Sequence, residues 1–210
     1  MESLKKRSWI QIAIIYTRYL IGGAFVFASL VKIKGKRFTS ESGAENAINT
    51  AWHFFETLYQ SGLYWKFIGL GQLIAGALLM TQRYAKLGAV INFPIILNVF
   101  MITLSYYFAY TPVITGSMLL ANIFLIIWDW NELQLIINRP PVLDHSIRLE
   151  KDISWTLTGI ALFAFTCVNR IWTDSPQPFF WLGGCLIIGS IGLFAGLYRD
   201  WKRRKKEAVR

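Results

Sequence analysis

Six stretches of this chain are each apolar over a length close to the hydrocarbon thickness of a bilayer, and no other feature restricts its folding so severely. They run over residues 9–30, 65–80, 87–107, 114–128, 155–172 and 179–198. A membrane-crossing helix needs about 20 mostly apolar residues, and within hydrocarbon a helix satisfies its own backbone hydrogen bonds. The second and fourth stretches are short. Tyr64, Trp65, Trp128 and Trp130 extend them into the headgroup boundary, which Trp and Tyr favour. The expected fold class is all-α, a polytopic membrane protein of six transmembrane helices.

Composition agrees. With 54% hydrophobic and 16% charged residues, 210 residues are too apolar to be covered as one soluble domain. The net charge of +10 does not imply a nucleic-acid partner, because seven of the 22 basic residues fall in the last twelve positions, directly after an apolar helix. That placement suits a cytoplasmic stop and an anchor to anionic lipid. The basic start followed by an apolar run imitates a signal peptide, but the run is long, carries Arg18 and Lys32, and lacks a small-residue cleavage site. An uncleaved first span is expected.

Lys and Arg counts set the orientation. With the N-terminus inside, the inner segments hold fifteen basic residues and the outer segments six, which places both termini on the cytoplasmic side. The outer cluster Lys32, Lys34, Lys36 and Arg37 opposes this bias locally. The loop over residues 31–64 carries Ser42 and Glu45 at capping-box spacing, then Ala44, Ala47, Ile48, Ala51, Trp52, Phe55 and Leu58 at three- and four-residue intervals. An amphipathic helix is expected there, on the outer surface or capping the bundle. The inner connection over 129–152, with Pro140 and Pro141, divides the chain into a four-span block (1–135) and a two-span C-terminal hairpin with a basic tail (136–210).

The four-span block carries RYLIGGAFVFASLVK (18–32), FIGLGQLIAGALLM (67–80), RYAKLGA (83–89), FPI (93–95) with Asn98, and AN (121–122) through WD (128–129). In these residues it resembles the DoxX family of small bacterial membrane proteins. The resemblance implies a four-helix bundle in the bacterial cytoplasmic membrane, and for some relatives an association with thiosulfate:quinone or thiol-redox systems. The block itself contains no cysteine, so a dithiol mechanism within it is excluded.

Few residues offer chemistry. Arg18 lies about nine residues into the first span, where an unpaired cation costs about 3 kcal/mol or more. Gln72, Asn98 and Asn122 fall at comparable depth in the next three spans. No Asp or Glu lies in any apolar core, so Arg18 is expected to have no charged partner and to use amides, carbonyls, water or a ligand. Two readings stand. The four polar groups fix helix packing, or they line a site for an anionic or carbonyl-bearing ligand such as a quinone head group, a fatty acid or an oxyanion. His53, among Phe54, Phe55, Glu56 and Tyr59, is an interface residue or a second ligand contact, and His145 beside Asp144 reads as solvated. Two histidines on opposite faces do not suit a metal or haem site. Cys167 and Cys185 fall at similar depth on adjacent antiparallel spans, either as a redox pair or as inert small hydrophobes. Asp129 is expected to pair with Arg83 or Lys86, and Gly192 and Gly196 to mark a helix contact.

Nothing in the sequence resembles a nucleophile motif, paired carboxylates or a phosphate loop. The leading expectation is an accessory membrane subunit without catalysis of its own, holding a lipophilic or anionic ligand or docking a membrane or extracytoplasmic partner. A small-solute or ion transporter and a membrane-assembly factor are the alternatives.

Overall fold

The computed structural model describes residues 2–141, 148–173 and 177–207. Seven helices of eight or more residues order these: α1 Ser8–Ile33, α2 Ala51–Gln60, α3 Leu63–Met80, α4 Ala85–Ser105, α5 Thr111–Trp128, α6 Ile153–Trp172 and α7 Pro178–Glu207. Short helical turns at Glu2–Lys5, Trp130–Leu133, Gln134–Ile137 and Leu149–Lys151 complete the regular structure, and no strand occurs among the described residues. Five helices are long and apolar enough to cross a membrane, namely α1, α3, α4, α5 and α7. The expected sixth, α6, has the length but not the hydropathy, because Thr158, Thr166, Asn169 and Arg170 face inward along one side of it.

α1 is the central element. It packs most extensively on α3, which continues to α4 and α5, and its other side packs on α6, which continues to α7. The α1–α3 contact is backbone against backbone: a Cβ added at Gly76 would lie 2.7 Å from the Gly22 carbonyl oxygen, and one at Gly22 would lie 2.9 Å from that of Gly76. Only glycine at both positions permits that approach, which gains dispersion contacts where burial out of lipid gains little. Gly192 and Gly196 let the backbone of α7 lie against the Thr158 and Trp155 side chains of α6, so the expected contact is internal to the chain.

Two apolar cores flank α1. Ile14, Ile21 and Phe25 meet Leu79, Ala89, Ile96, Leu119, Leu125 and Trp128 on one side. Ile15, Tyr19 and Val26 meet Met80, Leu149, Trp155 and Leu162 on the other. The two ends of the chain share one end of the bundle, where the Arg204 guanidinium donates to the Ser8 hydroxyl at 2.9 Å.

The loop after α1 departs from its expected form. α1 stops at a left-handed Gly35 (φ +65°) whose N–H donates to the Lys32 carbonyl. No helix starts at Ser42. The helix begins at Ala51, and its N-cap, eight residues after Ser42, is Thr50, whose hydroxyl accepts from the His53 N–H at 3.3 Å. The cause is Gly43, so close to α2 that a Cβ there would lie 2.1 Å from the Trp52 carbonyl. Residues 43–50 therefore fold back against α2 instead of prolonging it. α2 caps the end of the bundle opposite the termini, with Trp52 on Phe108 (5.3 Å between ring centroids) and Phe54 stacked on Tyr106 (4.6 Å).

Candidate functional site

The densest polar constellation surrounds Arg18, and it corrects the expectation that this residue lacks charged partners. The guanidinium of Arg18, 1% exposed, reaches Asp129 Oδ2 at 2.7 Å and Glu150 Oε2 at 2.5 Å, and donates to Gln82 Oε1 at 3.1 Å. Arg148 faces the same carboxylates, at 3.0 Å from Asp129 Oδ1 and 3.3 Å from Glu150 Oε1, and lies 3.4 Å from Glu132 Oε1. Lys86 closes the set on Glu132. Asp129 thus pairs with Arg18 and Arg148, and the expected partner Lys86 is taken by Glu132. Among the described residues three cations face three anions, so their charges balance.

The positions of its members explain the missed pairing. Gln82 follows the end of α3 by two residues, Asp129 ends α5, and Glu150 precedes α6. Arg18 is level with these helix ends, not with the middle of the bundle. α1 extends a further ten residues past that plane, where α7 and the 148–152 segment lie against it: Tyr16 donates to the Gly189 carbonyl at 2.6 Å, and the Leu149 N–H donates to Gln11 Oε1 at 2.7 Å. Counting depth from the start of the apolar run consequently placed Arg18 too deep. The acids at the ends of α5 and before α6 were the available signal.

Burial is the largest influence on both carboxyls and raises them. At Glu150 the Arg18 and Arg148 guanidinia outweigh it and hold the group below the usual carboxylate range. At Asp129 burial prevails over Arg18, and the neighbouring Glu150 charge adds to it, so that group stays above its usual value. Two carboxylates sharing two guanidinia are separated in this way.

The other expected site residues do not join Arg18. Asn122 is fully buried and receives a hydrogen bond from Asn92 Nδ2 at 2.9 Å while donating to the Ala89 carbonyl at 3.0 Å, so its partner on α4 is Asn92 and not Asn98. Asn98 is exposed. Gln72 is buried on α3, and its Oε1 has no hydrogen-bond partner among the described residues. The expected four-residue polar pocket is therefore not assembled. His53 sits half-buried at the opposite end of the molecule, with Nδ1 likewise without a partner among the described residues. His145 and Asp144 lie outside the described residues.

That opposite end holds its own charged groups, whose pairing the sequence did not show. Arg37 grips Glu56 with two bonds of 2.8 and 2.9 Å, and Glu56 also accepts from the Gly43 N–H and from Gln60. The hydrogen bonds from Arg37 overcome burial and hold the Glu56 carboxyl down to about 2. Lys32, 7% exposed, donates to the Ala28 carbonyl and lies 5.0 Å from the ring centres of both Phe38 and Trp65. Cys167 and Cys185 are free thiols packed on the second core. Cys185, but not Cys167, also lines a cavity of about 160 Å³ between α1, α6 and α7.

Part of the chain, 103 residues, is 33% identical to the Bacillus subtilis protein YwoB, itself described only as uncharacterized. The match covers 49% of this chain and 64% of that protein, under two thirds of its length. No protein-family model and no solved structure matches the chain.

Proposed function

We propose that the chain is an integral protein of a bacterial cytoplasmic membrane, DoxX-like over its first 135 residues, in which α6 joins the other five long helices as a sixth span and both termini face the cytoplasm. Within that membrane it acts as an accessory subunit without catalysis of its own, seating a lipophilic ligand and presenting the α2 cap to a partner on the far side. The observation that carries the choice of ligand is the charge-balanced Arg18 cluster. The charge of the buried Arg18 guanidinium is already compensated by two carboxylates, so an oxyanion or a fatty-acid head group would add a further buried anion there, and of the two ligand classes the apolar one is favoured. A quinone is the lipophilic molecule that the family resemblance suggests.

The α7 helix supports the orientation. Its 30 residues extend about 45 Å, longer than a hydrocarbon core of about 30 Å. The excess carries Tyr198 and Trp201 followed by Lys202 and Lys205, a sequence suited to an anionic headgroup layer.

Alkaline carbonate washing of membranes from expressing cells tests the membrane reading: the chain is expected in the pellet, and a monodisperse species in detergent-free buffer overturns it. Native mass spectrometry of the detergent-purified full chain tests the ligand reading. A retained apolar mass is expected, and a retained inorganic oxyanion overturns the assignment. Labelling of single cysteines placed at residues 3 and 208 in intact cells, expected only after permeabilisation, tests the orientation.

A further inference from the structure

The cavity between α1, α6 and α7 differs in chemistry from the charged cluster. It extends along α1 from Tyr16 to Gly23, about 10 Å at 1.5 Å per residue, and encloses about 160 Å³. Its floor is Gly23 and Gly189, and its mouth is framed by Leu20, Leu182 and Leu186, which are 68%, 45% and 63% exposed. None of its lining residues carries a charge.

Three of the four hydroxyls at its wall are already committed, and the fourth, on Ser190, belongs to an exposed residue. Tyr16 donates to the Gly189 carbonyl, Tyr19 to the Trp155 carbonyl, and Thr166 to the Leu162 carbonyl while accepting from the Trp181 indole N–H. An ordered water needs two to four polar partners, which this wall does not offer, and an apolar cavity of about 150 Å³ stays dry and accepts an apolar group. A quinone ring would find only the Ser190 hydroxyl as an uncommitted hydroxyl donor for its carbonyls. The mouth opens between α1 and α7, two helices apolar enough to cross a membrane, so the medium at the opening is hydrocarbon.

We propose that this groove is a binding site for one hydrocarbon chain of a membrane lipid, inserted between Leu20 and Leu186 with its end against Gly23 and Trp181. This rests on the membrane reading above and specifies which part of the molecule seats the lipophilic ligand. A phospholipid acyl chain and an isoprenoid tail share the required chemistry.

The geometry supplies both a blocking variant and a control. A Cβ at Gly23 would meet only Trp181, at an ordinary 3.6 Å, so Gly23→Leu projects into the groove without striking the helix backbones. A Cβ at Gly183 has nothing within 4 Å, so Gly183→Leu adds the same bulk outside the groove. Ser190→Phe, on the lining and itself exposed, is a second blocking variant.

Full-length wild type and the three variants are to be purified in detergent, re-exposed to mixed micelles of palmitoyl-oleoyl phosphatidylglycerol with or without a C55 isoprenol, and weighed intact by native mass spectrometry. One lipid mass per chain is expected on wild type and on Gly183→Leu, reduced at least tenfold on Gly23→Leu and Ser190→Phe. The identity of the adduct in the mixed sample distinguishes the acyl from the isoprenoid source. Equal retention by all four proteins, or no adduct on wild type, overturns the site. If either blocking variant fails to fold, the other decides. A chain that needs no detergent fails at the membrane reading, whereas a detergent-dependent chain with equal lipid on all variants fails only here.

Discussion

Replacing Arg18 by Met keeps most of the volume and removes the charge, which isolates what the cation does. Asp129 (1% exposed) and Glu150 (12% at its side chain) would then share the single guanidinium of Arg148. Removing one partner of a buried ion pair costs about 3–5 kcal/mol, because a carboxylate stays buried without compensation. Gln82 Oε1 also loses its donor, which keeps the expected loss in the upper half of that range. Unfolding by sodium dodecyl sulfate in maltoside micelles, followed by circular dichroism, measures it. Combining the change with Asp129→Asn should restore part of the stability, since the acid left unpaired is then neutral, and a double-mutant cycle should give a coupling near the top of the usual range of about 0.5–3 kcal/mol. Arg18→Lys should fall between, because an ammonium cannot hold two carboxylates in a planar fork. The reasoning is refuted if Arg18→Met lies within about 0.5 kcal/mol of wild type, the level at which independent sites simply add, and the ligand is lost instead. Arg18 would then be a ligand contact.

At the opposite end, the Glu56 carboxyl lies near 2 in the fold against an ordinary value of 4.5, so its contribution is complete above about 4.5 and is lost as pH falls toward 2. Hydrogen exchange over residues 38–60 should accelerate across that window, and Glu56→Gln should remove the acceleration; no difference between the two proteins refutes the latch. Gly76→Ala would put a Cβ 2.7 Å from the Gly22 carbonyl and should cost about 1–3 kcal/mol by forcing α1 and α3 apart, whereas Gly62→Ala, with open space but a positive φ, should lose about 1 kcal/mol through backbone strain alone; detergent unfolding compares them. Asn122→Leu leaves Asn92 without its buried partner and should cost about 0.6–1.7 kcal/mol, with no loss for Asn98→Leu, whose side chain is exposed. Maleimide should label both cysteines of denatured protein equally with and without reductant, since both thiols are free; labelling only after reduction means that they pair.

The helices were legible because length and apolarity are local properties: five of the six apolar stretches fall within long helices, and the third, 87–107, overruns the end of α4 by only two residues. What was illegible is where each helix stands along the common axis. Arg18 looks central when counted from Trp9, yet the first ten residues of α1 project past the ends of α3 and α5, and only the fold sets that offset. The same offset hid the role of Asp129 and Glu150: Asp129 was expected to pair with Arg83 or Lys86 and Glu150 drew no reading, although 148–152 lies against α1 and brings both carboxylates to Arg18. Gly43 is the parallel case at the other end, since its close approach to Trp52, and not the capping-box spacing of Ser42 and Glu45, decides where α2 begins. The displaced plane also bears on function. With its charges gathered at the helix ends, the groove between α1, α6 and α7 is lined without charge, and an apolar chain is the occupant that such a lining tolerates, because its Tyr16, Tyr19 and Thr166 hydroxyls are already bonded within the protein.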